Sequence, residues 1–166
     1  MPRAREPGPQ AGRDEASELR YRLRRAGLLR PPSPPDDCME EAVCEAVFRY
    51  QLRQPLADAP QPLRYYLARQ GRDPDAAFLG RLNAVASGVQ PLSRCRVSAR
   101  DGVVDRVTGA RGVIVQVTRL TWVHAAAVDV VGGYYLTHRQ AAGLCYHVEH
   151  DGHHWAVTAV HLLWWA

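Results

Sequence analysis

From Val89 onward the chain runs in stretches of β-branched and aromatic residues, separated by turns that contain glycine and aspartate. No other feature restricts the fold as much, because such stretches bury themselves only by pairing as strands. They predict strands at about 90–99, 112–123, 126–136, 142–150 and 153–164, with "DGVVDRVTGARG" as a long turn and "HAA" as a tight connection. Ahead of Val89 the period changes. In "CMEEAVCEAVFRYQLRQ", Met39, Val43, Val47 and Tyr50, with Cys44, Phe48 and Gln51 beside them, form one apolar stripe at helical spacing. Asp36 or Asp37 caps this helix and Pro55 stops it. "PLRYYLARQ" then alternates as a short strand, with Leu63, Tyr65 and Leu67 on one side. "DPDAAFLGRLNAVA" reads as a second helix, opened by Asp73 and Pro74 and closed near Gly88. The order predicts an α+β fold, with helices packed on one face of a curved antiparallel sheet.

A chain of 166 residues that is 46% hydrophobic can bury one core, so a single domain over 36–166 is expected. Residues 1–35 read as a flexible arginine-rich arm containing the short helix "ELRYRLRRAGLL". That arm carries eight arginines against four acids, which is the whole formal net charge of +4; the remainder holds 13 of each. The distribution argues against a folded basic surface for nucleic acid. No apolar run is long enough for a signal peptide or a membrane span, so a soluble, cytoplasmic protein is expected. Cys38, Cys44, Cys95 and Cys145 include no CxxC pair and are expected as small buried apolar groups.

"YHVEHDGHHW" gathers four of the seven histidines. With Asp151-Gly152 as a two-residue turn, His150 would face His153, Glu149 would face His154, and Val148 would face Trp155. Alternation then places Tyr146, Val148, His150, His153, Trp155 and Val157 on a buried face. His147, Glu149 and His154 fall on the other face, as a polar cross-strand group or, alternatively, a metal candidate of two histidines and a carboxylate. His124 and His138 are expected in turns. His161 has apolar neighbours on both sides in "AVHLLWWA", which suits a core histidine. The paired glycines of "GGYY" mark a bulge or a close backbone approach, with Tyr134 and Tyr135 on opposite faces. A bend there would open a pocket lined by Trp122, Tyr135 and Trp155, fit for a small hydrophobic ligand. The apolar "LLWWA" must fold onto the core or be covered by a partner, so homodimerisation through the sheet face is expected.

"GLCYHVEHDGHHWAVTAVHLLWW" and "GVIVQVTRLTWVHAAAVDVV" resemble the closing hairpin and central strand pair of the nuclear-transport-factor-two-like superfamily. The chain is also similar to small bacterial proteins of that type, through "EAVFRY", "GGYY" and "GHHWAV". The resemblance covers residues 38–166 and implies a cystatin-like roll, in which helices and sheet enclose a cone. That fold hosts binding modules as well as isomerases, dehydratases and cyclases. The favoured expectation is a non-enzymatic binding or assembly module without a cofactor. The alternative is an enzyme with His161 and Tyr134 or Tyr135 as acid and base. The acid and histidine positions of ketosteroid isomerases have no counterpart that aligns here.

Overall fold

A computed structural model describes residues 36–54 and 63–166. The N-terminal arm, its short helix and Pro55 lie outside the described residues. The rest is an α+β fold of two helices and a large curved sheet. Helix α1 (Asp37–Arg53) is capped by the Asp36 carboxylate, which accepts from the Met39 N–H at 2.9 Å. Its stripe buries Val43, Cys44, Val47, Phe48 and Leu52, the valines, Phe48 and Leu52 each contributing roughly 1.5–3 kcal/mol relative to exposure. After it come β1 (Arg64–Arg69), α2 (Ala76–Asn83), β2 (Val89–Pro91) and a 3₁₀ turn at Leu92–Arg94. Then follow β3 (Cys95–Ser98), β4 (Gly102–Asp105), β5 (Gly112–His124), β6 (Ala127–Thr137), β7 (Gln140–His150) and β8 (Trp155–Trp165).

The main sheet has the order β2-β1-β5-β6-β7-β8. Its last four strands form the expected antiparallel meander, but β1 runs parallel to both β2 and β5, so the sheet is mixed rather than antiparallel. Helix α2 lies between β1 and β2 in sequence, and a helical crossover brings the chain back to enter the sheet in the same direction. The strand expected at 90–99 is broken by the 3₁₀ turn, which hands the chain from the main sheet to a separate β3–β4 pair. β4 itself falls inside the stretch expected to be a long turn. Asp75, not Asp73, caps α2, accepting from the Phe78 N–H at 2.8 Å; Asp73 instead accepts from the Ser93 N–H.

The helices cover one sheet face. There Leu67, Val113, Val115, Val117, Val128, Val130, Tyr146 and Val148 meet Val43, Val47, Phe48, Phe78 and Leu82. On the opposite face Tyr66 packs with Cys95 and Val103, joined by Ile114 and Tyr135. Cys44 and Cys95 are buried as expected, while Cys38 is exposed on the first turn of α1 and Cys145 is half-buried.

Asp105 is the only charged side chain in the buried class among the described residues. It accepts from the N–H groups of Thr108 (2.8 Å) and Val107 (2.9 Å), from Arg94 Nε (3.0 Å) and from the Tyr66 hydroxyl (3.2 Å). The Thr108 amide leads the interactions that hold this carboxyl far below the usual range, and they outweigh the burial that opposes them. Burial and the neighbouring Asp105 charge push Tyr66 up to about 12.

The paired glycines permit close approach. A Cβ on Gly133 (φ +154°) would overlap the Ala142 carbonyl oxygen, and one on Gly132 would overlap the Gln116 carbonyl oxygen. Tyr134 and Tyr135 pack into the two opposite clusters, as the alternation implies. Gly133→Ala is expected to lower the unfolding free energy by at least about 2 kcal/mol, read by urea denaturation. Gly80→Ala is the control: nothing lies within 4 Å of an added Cβ there, and helix propensity favours alanine by up to about 1 kcal/mol.

Candidate functional site

The tip of the β7–β8 hairpin and α1 enclose an open cleft of about 470 Å³. His150, His153, His154 and Trp155 line one side, and Glu45 and Arg49 line the other, with Ala42 and Ala46 between. The loop reaches there because Asp151-Gly152 does not make a two-residue turn. Asp151 Oδ1 accepts from the N–H groups of both His153 and His154 at 2.9 Å, closing a four-residue loop. His150 therefore faces Trp155, Glu149 faces Ala156 and Val148 faces Val157. The register slips by two residues from the expected one, which is one side-chain period, so Tyr146, Val148, Trp155 and Val157 keep their assigned face. His150 stacks edge-on against Trp155, with ring centroids 5.1 Å apart. His153 is exposed on the loop, while His124 and His138 lie at or in strand connections.

The carboxylate in this cleft is already engaged. Glu45 Oε1 accepts from Arg49 at 2.7 Å and Oε2 from Arg81 at 2.7 Å; Arg81 also binds Glu41. Burial alone would raise the Glu45 carboxyl, but the hydrogen bonds from Arg81 and Arg49 hold it below the usual range. The group acts as a fixed anion tying α1 to α2. It is poorly suited to proton transfer near neutral pH.

On the sheet face away from the helices, the proposed pairing of Glu149 with His154 does not form. His154 is exposed in the loop, 3.1 Å from Asp151, because the four-residue turn withdraws it from the strand. His147 instead binds Asp129 of β6, Nδ1 to Oδ1 at 2.6 Å, with Glu149 Oε1 3.5 Å from Nε2. The metal arrangement of His147, Glu149 and His154 is thus not assembled, and no group of three or more such ligands that could hold an ion occurs among the described residues. The Asp129 hydrogen bond raises the His147 pKa against the opposing effect of burial. Burial pushes the Cys145 thiol, on the same face, up to about 11, so no thiolate is prepared there.

Trp122 and Trp155 do meet, edge to face at 5.6 Å, but as a packed pair; Tyr135 belongs to the cluster on the other side of the sheet. The expected pocket of Trp122, Tyr135 and Trp155 is not brought together. His161 is exposed rather than a core histidine. A bulge at Thr158 inserts one residue between the Val148–Val157 and His147–Ala159 pairs, which turns Val160 inward and His161 outward. His161 lies opposite Cys145, in register with Val131, four residues along β6 from Tyr135 and on the other face from Tyr134. The acid–base group of His161 with either tyrosine is therefore not assembled. Sequence reasoning missed the partner of His147, although the lone acid in the apolar run "AAVDVVGG" was its signal.

No protein-family model, curated protein or solved structure matches the chain. No helix among the described residues is long and apolar enough to cross a membrane.

The Asp129–His147 pair makes a directional prediction. Because the folded pKa of His147 lies above its unfolded value of about 6.5, the pair's contribution is complete below that value and fades as pH rises through the folded pKa. Asp129→Asn is expected to be more destabilising at pH 5 than at pH 8.5, measured by urea unfolding at both. An equal loss at the two values would remove the assigned role of the pair.

Proposed function

We propose that the protein is a small non-enzymatic binding or assembly module that self-associates, built on a cystatin-like roll of the nuclear-transport-factor-two-like type. Two helices on one face of a curved sheet, with an aromatic closing hairpin, support the roll. One observation carries the functional reading. At the end of β8, four consecutive apolar residues, Leu162 (59% exposed), Leu163 (50%), Trp164 (52%) and Trp165 (79%), stand in solvent on both sides of the strand. Side chains of this size gain little stability where they stand, and such a patch marks a surface that another molecule covers.

The acid–base enzyme reading draws on the cleft, where three imidazoles and Trp155 face α1. Against it stand a carboxylate held ionised by two arginines, two exposed imidazoles on a loop with the third, His150, stacked on Trp155, and a filled aromatic pair behind them. The geometry favours the module.

Sedimentation velocity tests the reading. The 18.5 kDa chain is expected to sediment as a dimer at high concentration and to dissociate on dilution. The double substitution Leu162→Lys with Trp165→Lys is expected to be monomeric throughout with unchanged circular dichroism, since both side chains are exposed. A parent chain that stays monomeric at every accessible concentration would remove the proposal.

A further inference from the structure

Building on the assembly reading above, we infer that two copies join edge to edge, β8 antiparallel to β8, so that two six-stranded sheets continue as one. The two ends of the sheet are unequal. β2 at one end is three residues long and finishes in Pro91, which lacks the N–H that a neighbouring strand requires. β8 at the other end has 11 residues and contains no proline and no aspartate, glutamate, lysine or arginine. Its outer edge is unpaired among the described residues. Short strands, proline, charges and bulges are the usual devices that stop edges from pairing; β2 has the first two, whereas β8 has only its bulges, at Thr158 and Leu163, with a regular run between them.

The exposed side chains also point to an edge rather than a face. Leu162 and Trp165 are registered with Leu144 and Ala142, on the helix-covered face, whereas Trp164 is registered with Gly143 on the other. A partner packed on one face would leave the other side uncovered. An added strand supplies cross-strand neighbours on both.

The occupant we assign is a second copy of this chain. A two-fold pairing sets the strand against itself, and a strand without formal charge meets itself with no like charges opposed. The exposed parts of the four side chains amount to on the order of 500 Å² per chain, taking a full aromatic side chain at about 250 Å². A standard interface buries about 800 Å² per partner, so the inferred dimer requires the backbone ladder and its flanks to add the rest. The bulges at Thr158 and Leu163 leave residues 159–162 as the regular run. Antiparallel self-pairing of that run places the two-fold axis between Val160 and His161.

Residue-resolved amide hydrogen exchange on the full chain, at concentrations below and above the sedimentation midpoint, tests the inference. Outward-pointing amides within 159–162 are expected to exchange roughly tenfold or more slowly in the associated state, while β2 amides stay unchanged. Association without that protection would mean face packing, overturning the edge geometry and leaving self-association intact. Full protection at the lowest concentration would mean that another segment of the same chain covers the edge, which also overturns it. Absence of association removes the assembly reading itself, and sedimentation reads that outcome separately.

Discussion

The amide of Gln51 holds the two layers in register. Its Nε2 donates to the Tyr146 hydroxyl at 2.8 Å and to the Gly133 carbonyl at 3.3 Å, across the boundary between α1 and the sheet. Hydrophobic burial is itself non-directional, so polar contacts between the layers add direction to the packing of Val43, Val47 and Phe48. These two hydrogen bonds specify one position. Gly133 contributes by letting β6 approach β7 closely, and burial pushes Tyr146 up to about 12, which keeps it neutral. With α1 fixed, Glu41 and Glu45 are placed to receive Arg81 from α2, and the second helix is fixed in turn.

Single-residue insertions then decide which side chains face which way. β5 presents Val113, Val115 and Val117 to the helices, skips at Thr118, and continues inward with Leu120 and Trp122. β8 does the same at Thr158 and again at Leu163. A bulge exchanges the two faces for everything beyond it. This explains why α1 was legible in the sequence while His161 was not. The helix stripe repeats without interruption, so its period reports its buried face directly. The strand alternation from Trp155 is sound only as far as the first bulge, and Thr158 carries no local sign of one. The four strands of the meander were legible because each run is long, and the faces of Tyr146, Val148, Trp155 and Val157 survived even a wrong turn type, since the slip was one whole side-chain period.

What stayed hidden in the sequence depends on contacts between distant segments. Asp105 looks like a turn residue in "DGVVDRVTG", yet its partners come from β1, the 3₁₀ turn and the loop after β4. Asp129 looks out of place in its strand until His147 arrives from the next one, and only the register of β6 against β7 sets the two side by side. The parallel entry of β1 was equally unreadable, because a six-residue run carries no record of its neighbours' direction. The histidine-rich hairpin misled for the opposite reason. Asp-Gly suggested a two-residue turn that set His154 beside Glu149 and His147, while Asp151 closed a four-residue loop that keeps His154 out of the strand pairing.

Gly143 connects these local rules to the surface of β8. A Cβ there would collide with the Trp164 indole, so glycine provides the floor on which the pyrrole side of that ring rests. The contact anchors Trp164 from beneath but leaves half of it in solvent, and the neighbouring bulge at Leu163 sends Trp165 to the other face. The registers therefore place the two indoles on opposite faces of one strand, where only a neighbour that borders the strand on both sides would reach both.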